Sequence, residues 1–303
     1  LPKHAIVATN VDDIRKQAAI YNGVLENEEV RAEVKAAVGN MFSPSTLEVY
    51  AQCPFRFLGE RIWKQSEFVE KEELAAPTDM GTLVHECLAK FLGKHLQEKL
   101  PKYDFAVLWE ELKQEFQNLC DEYIANGKLL QNELWGAEQK RLLNMLHKWL
   151  RYEYDMQGKW DFVPCAVEWA FNNKEGAPLR LKLEDGQKFA IMGRVDRIDK
   201  NGDKVFVTDY KLGSVPAVDD LPNGVDLQLP IYLLAANKLY GKEVAGGGYL
   251  SMKEGKRKNN VKLDASQEFP FMDKRSKDHF VNMEDGWLAC KEGSAKLLCS
   301  YLQ

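Results

Sequence analysis

Asp196, Asp209 and Lys211 are residues of this chain whose types and spacing could do chemistry together. They lie in two runs of alternating apolar and polar residues, Phe189 to Asp199 and Lys204 to Lys211. Asn201-Gly202 joins the runs, and that dipeptide favours a two-residue β-hairpin turn. With Asn201-Gly202 as the loop, Lys200 faces Asp203 and Asp196 falls opposite Val207. Asp209 is then the diagonal neighbour of Asp196 on the same face, about 7–8 Å away at Cα. Alternation puts Lys211 on that face as well and turns Tyr210 to the other. Two carboxylates so placed do not bond each other, but both reach a cation held between them. A hard divalent ion such as Mg²⁺ takes one or two protein carboxylates and keeps waters for itself and for a substrate phosphate. Lys211 would polarise or deprotonate such a water, or offset the negative charge that develops as it attacks. The competing reading is a solvated strand face on which Arg194, Asp196, Asp209 and Lys211 alternate without function.

Three further positions could join them. Gln228 and Tyr232 stand one helical turn apart and share a face; they suit holding a nucleotide or the lysine, and equally suit a surface amide beside a half-buried phenol. His85, in Gly81-Thr82-Leu83-Val84-His85-Glu86, offers an imidazole for a metal shell or a structural role beside an apolar stripe. Ala89 breaks the HExxH zinc pattern. Glu168 lies inside the apolar run Val167 to Phe171, where a carboxylate needs a partner, a metal or a solvent-facing side.

Helices and strands must carry these groups. Residues 1 to 42 read as an amphipathic helical lead-in, with Ile14, Ala18, Tyr21 and Leu25 at helical spacing. Phe42-Ser43-Pro44-Ser45 opens a second helix toward Trp63, with Ser43 or Ser45 as N-cap. A helix from Thr82 to about Leu100 follows. Two longer helices then carry the stripes Phe105, Leu108, Leu112, Phe116, Leu119, Tyr123 and Leu142, Leu146, Trp149, Leu150. Near Pro164 the period changes, and 163–171, 180–183, 189–199 and 204–211 read as strands. A helix from about Asp226, its expected N-cap, to Tyr240 and a strand from Val244 to Met252 complete the pattern. The fold class is α/β, with a large helical insertion ahead of the sheet.

Composition narrows the class of protein. In 303 residues, 41 Lys and Arg meet 46 Asp and Glu, a net charge of −5 that argues against wholesale coating of a polyanion but allows a local basic groove. The run Lys253 to Lys262, with five cations and one acid, could touch phosphates or form an ordinary solvated loop. No apolar stretch is long enough to cross a bilayer, and no leader pattern opens the chain, so a cytoplasmic location is expected. Cysteines 53, 87, 120, 165, 290 and 299 contain no CxxC and do not suggest a disulfide scaffold. There is no Walker A run, no GxGxxG and no GxSxG, which removes support for ATP hydrolysis, dinucleotide binding and α/β-hydrolase chemistry.

In order along the chain, several segments resemble the PD-(D/E)xK nuclease superfamily, and within it the RecB/AddB-type nuclease domains. They are Phe42 to Tyr50 with Cys53-Pro54-Phe55-Arg56-Phe57, Gly81 to Glu86, Gly193 to Asp199, Asp209-Tyr210-Lys211, Leu227 to Tyr232, and Val244 to Leu250. The resemblance implies a restriction-endonuclease-like mixed sheet flanked by helices, in a nuclease domain over residues 43–303 after a helical extension or linker over 1–42. It implies His85, Asp196, Asp209 and the Tyr210 carbonyl as ligands of Mg²⁺ or Mn²⁺. Lys211 would be the catalytic lysine, Gln228 and Tyr232 its supports, and Glu168 the acidic strand residue.

Some AddB-type relatives hold a [4Fe–4S] cluster with a cysteine of the Cys-Pro-Phe motif and a C-terminal C-x₂-C-x₅-C. Cys53 is in place, but Cys290 and Cys299 do not fit that spacing, so no cluster is expected and Cys53 reads as a buried thiol. The activity implied by the resemblance is phosphodiester hydrolysis in DNA during repair or recombination, exonucleolytic by expectation, in or beside a helicase. Leu1 as the first residue fits a domain excised from a longer protein. The rival is a catalytically silent nuclease-like module that binds DNA or scaffolds a helicase. An unrelated α/β protein with a charged hairpin is a third reading.

Overall fold

A computed structural model describes residues 27–65, 77–129, 131–172, 174, 176–182, 188–217, 220, 225–263, 269–271, 281–284 and 287–290. Ile14, Ala18, Tyr21 and Leu25 of the expected lead-in helix lie outside the described residues. Helix α1 (Glu28–Val38) starts at Asn27, whose side chain accepts the Glu29 amide at 2.8 Å.

A five-stranded mixed sheet carries the site. In spatial order it runs β2 (Val163–Phe171), β5 (Gly193–Asn201), β6 (Lys204–Lys211), β7 (Glu243–Ser251) and β8 (Lys256–Lys262). Within this sheet the β6–β7 pairing is parallel and the others are antiparallel. The parallel crossover is α7 (Gln228–Leu239), as such a connection requires. One face of the sheet is covered by α4 (Pro77–Lys94), α5 (Phe105–Ala125) and α6 (Trp135–Gln157). Their buried stripes pack with Tyr210, Leu250 and Met252 in one core. The other face meets α7 through Val195, Val205, Val207, Leu229 and Leu233. Gly247 permits that close approach, since a Cβ there would stand 2.7 Å from Leu233 Cδ2 and 2.9 Å from the Val207 oxygen.

The structure corrects several sequence expectations. The expected strand 189–199 divides at Met192. β4 (Lys188–Ile191) joins β1 (Met41–Phe42) and β3 (Leu179–Lys182) in a separate three-stranded sheet, and β5 joins the main one. The helix expected from Thr82 to about Leu100 is α4, which ends at Lys94. The helix expected from Ser43 toward Trp63 breaks at Cys53, which precedes a proline and is extended (φ −160°, ψ 104°). The break separates α2 (Pro44–Gln52) from α3 (Pro54–Phe57) and a π-helical turn. Ser43 is the N-cap of α2, as expected, accepting the Thr46 amide at 3.2 Å. Cys53 is half-buried rather than buried, and its Sγ caps α3 by accepting the Arg56 amide. Cys299 lies outside the described residues. The basic run from Lys253 is no simple loop, because most of it is β8 and Arg257 is buried.

Behind the sheet, Arg197 is wholly buried and joins Glu153 of α6 at 2.7 Å and Asp199 at 2.7 Å. Arg257 adds Glu153 at 3.4 Å and Thr208 Oγ1 at 2.6 Å. Two guanidiniums thus neutralise two carboxylates across α6, β5, β6 and β8. Removing one member of such a buried network leaves uncompensated charge and costs about 3–5 kcal/mol. Arg197→Ala should therefore lower unfolding stability by that order, read from the urea midpoint at unchanged slope.

Candidate active site

The hairpin register differs from expectation by two residues. Asn201 pairs with Lys204 and Ile198 with Val207, so the loop is Gly202-Asp203 and not Asn201-Gly202. Gly202 has φ +58° and occupies the first central position, where the II′ turn takes glycine. A two-residue slip keeps each side chain on its face. Carried one step beyond Arg197–Thr208, this register sets Asp196 directly opposite Asp209 instead of diagonal to it. The ladder yields there to a side chain: Asp196 Oδ2 accepts the Tyr210 amide at 2.7 Å. Tyr210 thus touches Asp196 through its N–H, while its ring turns to the opposite face, 6.3 Å from the Trp149 ring.

His85 and Glu168 converge on Asp196. Its Oδ1 lies 3.2 Å from His85 Nδ1. One ligand atom each of His85, Glu168 and Asp196 lie within 4.8 Å of one another. Glu168 occupies the left-handed region at φ +47°, a conformation that costs a non-glycine residue of order 1–3 kcal/mol. It sits where β2 pairs with β5 on either side of Asp196, and Arg194 lies 3.6 Å from its carboxylate. An imidazole and two carboxylates form a hard, mostly oxygen donor set that fits Mn²⁺ or Mg²⁺.

Asp209 faces a different set of partners. Its Oδ2 meets the Lys211 ammonium at 2.9 Å, and its Oδ1 accepts Gln228 Nε2 at 2.8 Å. Gln228 accepts from Lys211 Nζ at 2.6 Å through Oε1, and its Nε2 also lies 3.1 Å from Tyr232 Oη. A carboxylate only accepts and an ammonium only donates, so the two contacts define which way the Gln228 amide points. The structure therefore brings the sequence candidates together as two linked groups, His85–Glu168–Asp196 and Asp209–Lys211–Gln228–Tyr232.

Sequence reasoning missed Glu48. The helix α7 begins at Gln228 with no side-chain cap of its own, and Asp226 is not its N-cap. Glu48 Oε1, from α2, instead accepts the amides of Leu227 (3.1 Å) and Gln228 (2.9 Å). Asp226 accepts from Tyr249 Oη at 2.7 Å. Glu48, Asp226, Lys211 and Gln228 line a hollow of about 190 Å³. Glu48 is the single charged residue of α2, the one local sign of a role beyond solvation.

Burial and crowding set the proton affinities. Desolvation, reinforced by the Asp196 charge and opposed by Lys211, raises the Asp209 carboxyl to about 7. Burial disfavours a charged His85, but Asp196 and, behind it, Asp209 and Glu168 outweigh that and raise the imidazole to about 9. Burial also works against the Lys211 charge, yet Asp209 more than compensates and the ammonium holds its proton more tightly than usual. Metal ligands must shed their protons. With Asp209 and His85 as ligands, the affinity for Mn²⁺ would climb as pH rises through about 7 and on toward about 9, with protons released on binding. Calorimetry in buffers of different ionisation enthalpy measures that release.

A mixed sheet flanked by helices, with opposed acids and a lysine at the end of adjacent strands, has the restriction-endonuclease-like architecture. The chain belongs to the PD-(D/E)XK nuclease superfamily, whose sequence profile its residues 41–301 match. It is similar to an ATP-dependent helicase/deoxyribonuclease subunit (AddB) of Carboxydothermus hydrogenoformans, at 30% identity over 274 residues, 86% of this chain and 24% of that protein. The proteins of the same name from Clostridioides difficile (30% identity; 69% of this chain, 18% of theirs) and Clostridium tetani (29%; 70% and 19%) are also similar. The chain spans a quarter or less of the length of these relatives. Among the described residues no helix is long and apolar enough to cross a membrane.

Proposed function

We propose that this chain is a metal-dependent deoxyribonuclease domain that hydrolyses phosphodiester bonds exonucleolytically, in or beside a helicase acting in DNA repair, in the cytoplasm. The observation that carries the reading is the convergence of His85, Glu168 and Asp196 beside the Asp209–Lys211 pair. His85, Asp196 and Asp209 would hold Mg²⁺ or Mn²⁺, with Glu168 alongside and the Tyr210 carbonyl as a further ligand. Such an ion supplies Lewis acidity at the phosphate and a more acidic water.

The chain's own residues have separable roles. Lys211 is held as an ammonium by Asp209 and Gln228, which suits stabilising charge at the reacting phosphate better than abstracting a proton. Gln228, backed by Tyr232, holds the Asp209 and Lys211 head groups together. Glu48 fixes the start of α7 and hence Gln228. Asp196 orients His85 and ties β5 to the Tyr210 amide.

The names of the relatives support DNA as substrate and a helicase as partner. The testing experiment follows release of nucleotides from end-labelled DNA with Mg²⁺ or Mn²⁺ and with EDTA. Cleavage is expected with either metal and none in EDTA; equal cleavage in EDTA would refute the mechanism.

A further inference from the structure

Strand β6 runs out of the acidic site into a second, larger cleft. Leu212 to Ala217, which continue β6 beyond Lys211, form one wall of a cavity of about 1020 Å³. Helix α6 and the turn between β7 and β8 form the others. The turn is seated on the helix: a Cβ on Gly255 would lie 2.9 Å from Lys148 Cβ. Ser214 and Pro216 line both this cleft and the small hollow that holds Lys211 and Gln228, so the two adjoin.

The charge of the cleft opposes that of the chain. Arg141, Lys148, Lys253 and Lys258 line it against one acid, Glu254, while the whole chain carries −5. Arg141 is occupied by Glu138 at 2.5 Å and Lys258 by Glu254. Lys148 and Lys253 are exposed and meet no carboxylate among the described residues. Met145, Leu212, Val215 and Pro216 supply apolar lining between the cations. The basic run thus divides its labour, with Arg257 buried in the network behind the sheet and Lys253 and Lys258 turned to the cleft.

We propose that this cleft binds the phosphate backbone of single-stranded DNA leading to or from the acidic site, with Lys148 and Lys253 each contacting a phosphate. The proposal rests on the nuclease reading for its choice of DNA. A positively charged groove with apolar patches is the pattern that tracks a single strand.

The test is fluorescence anisotropy of labelled oligothymidylate and of a labelled duplex, both in EDTA so that nothing is cleaved, across a KCl series. Each phosphate neutralised contributes about 0.7 to the slope of log affinity against log salt for a single strand and about 0.9 for a duplex. The double variant Lys148→Ala with Lys253→Ala should bind oligothymidylate more weakly, with a slope shallower by about 1.4. Lys148→Arg with Lys253→Arg should keep the slope, and an unchanged melting temperature shows that both fold. An unaltered affinity and slope in the alanine variant would overturn the proposal. A loss of slope confined to the duplex would overturn the single-strand assignment. Wild-type protein that binds with the full slope but leaves DNA intact with Mn²⁺ would sink the nuclease reading while supporting the cleft; cleavage with no change in slope would do the reverse.

Discussion

Replacing Asp196 by Asn is expected to reduce DNA cleavage by roughly 10³-fold or more, since it removes a carboxylate on which the divalent ion and the site geometry would both depend. Asn is the informative substitution because its amide oxygen still accepts the Tyr210 N–H that Asp196 takes at 2.7 Å, so the end of β5 stays tied to β6. What disappears is the charge facing His85 Nδ1 at 3.2 Å. Asp196 is the chief influence holding the His85 proton against burial, so the imidazole should fall from about 9. The Asp209 carboxyl should fall from about 7, because Asp196 is among the causes that raise it. The checks are Mn²⁺ calorimetry, in which the heat of binding should vanish, and an NMR titration of His85. A variant that bound Mn²⁺ as tightly as the parent would remove Asp196 from the metal site.

Lys211→Ala is the second large effect. A group that assists proton transfer or stabilises transition-state charge is worth about 10²–10⁴-fold, and the loss should fall on kcat rather than on DNA affinity. The variant also leaves Asp209 with Gln228 as its hydrogen-bond partner and without its cation. Lys211 holds the Asp209 carboxyl down, so its removal raises that group above about 7. The carboxylate is the form that binds metal. The acid limb of the residual activity should therefore move to higher pH, a shift that lost folding alone would not produce. A kcat within a few-fold of the parent would assign Lys211 a structural role.

Much of this site was legible from local pattern. The period of two in 204–211 placed Asp209 and Lys211 on one face and Tyr210 on the other, and that arrangement survives the error in register. It survives because a slip of two residues preserves the face, whereas a slip of one would have inverted it. The turn signal placed a hairpin correctly but not its central pair. Gly202 with φ +58° serves as the first loop residue, which an Asn-Gly dipeptide read in isolation does not reveal.

What the chain determined unaided was the set of reactive side chains, their faces and the helices and strands that carry them. Apolar period and turn chemistry act over neighbouring residues and are written locally. Only tertiary packing decided who met whom. It joined His85 of α4 to Glu168 and Asp196, and it bent Glu168 into a left-handed backbone that no propensity favours. It brought Glu48 to cap Gln228 across 180 residues of sequence. It also buried Arg257 while leaving Lys253 exposed within one basic run. Those outcomes depend on which surfaces the core brings into contact. Buried charges must then find counter-charges among whatever the packing supplies.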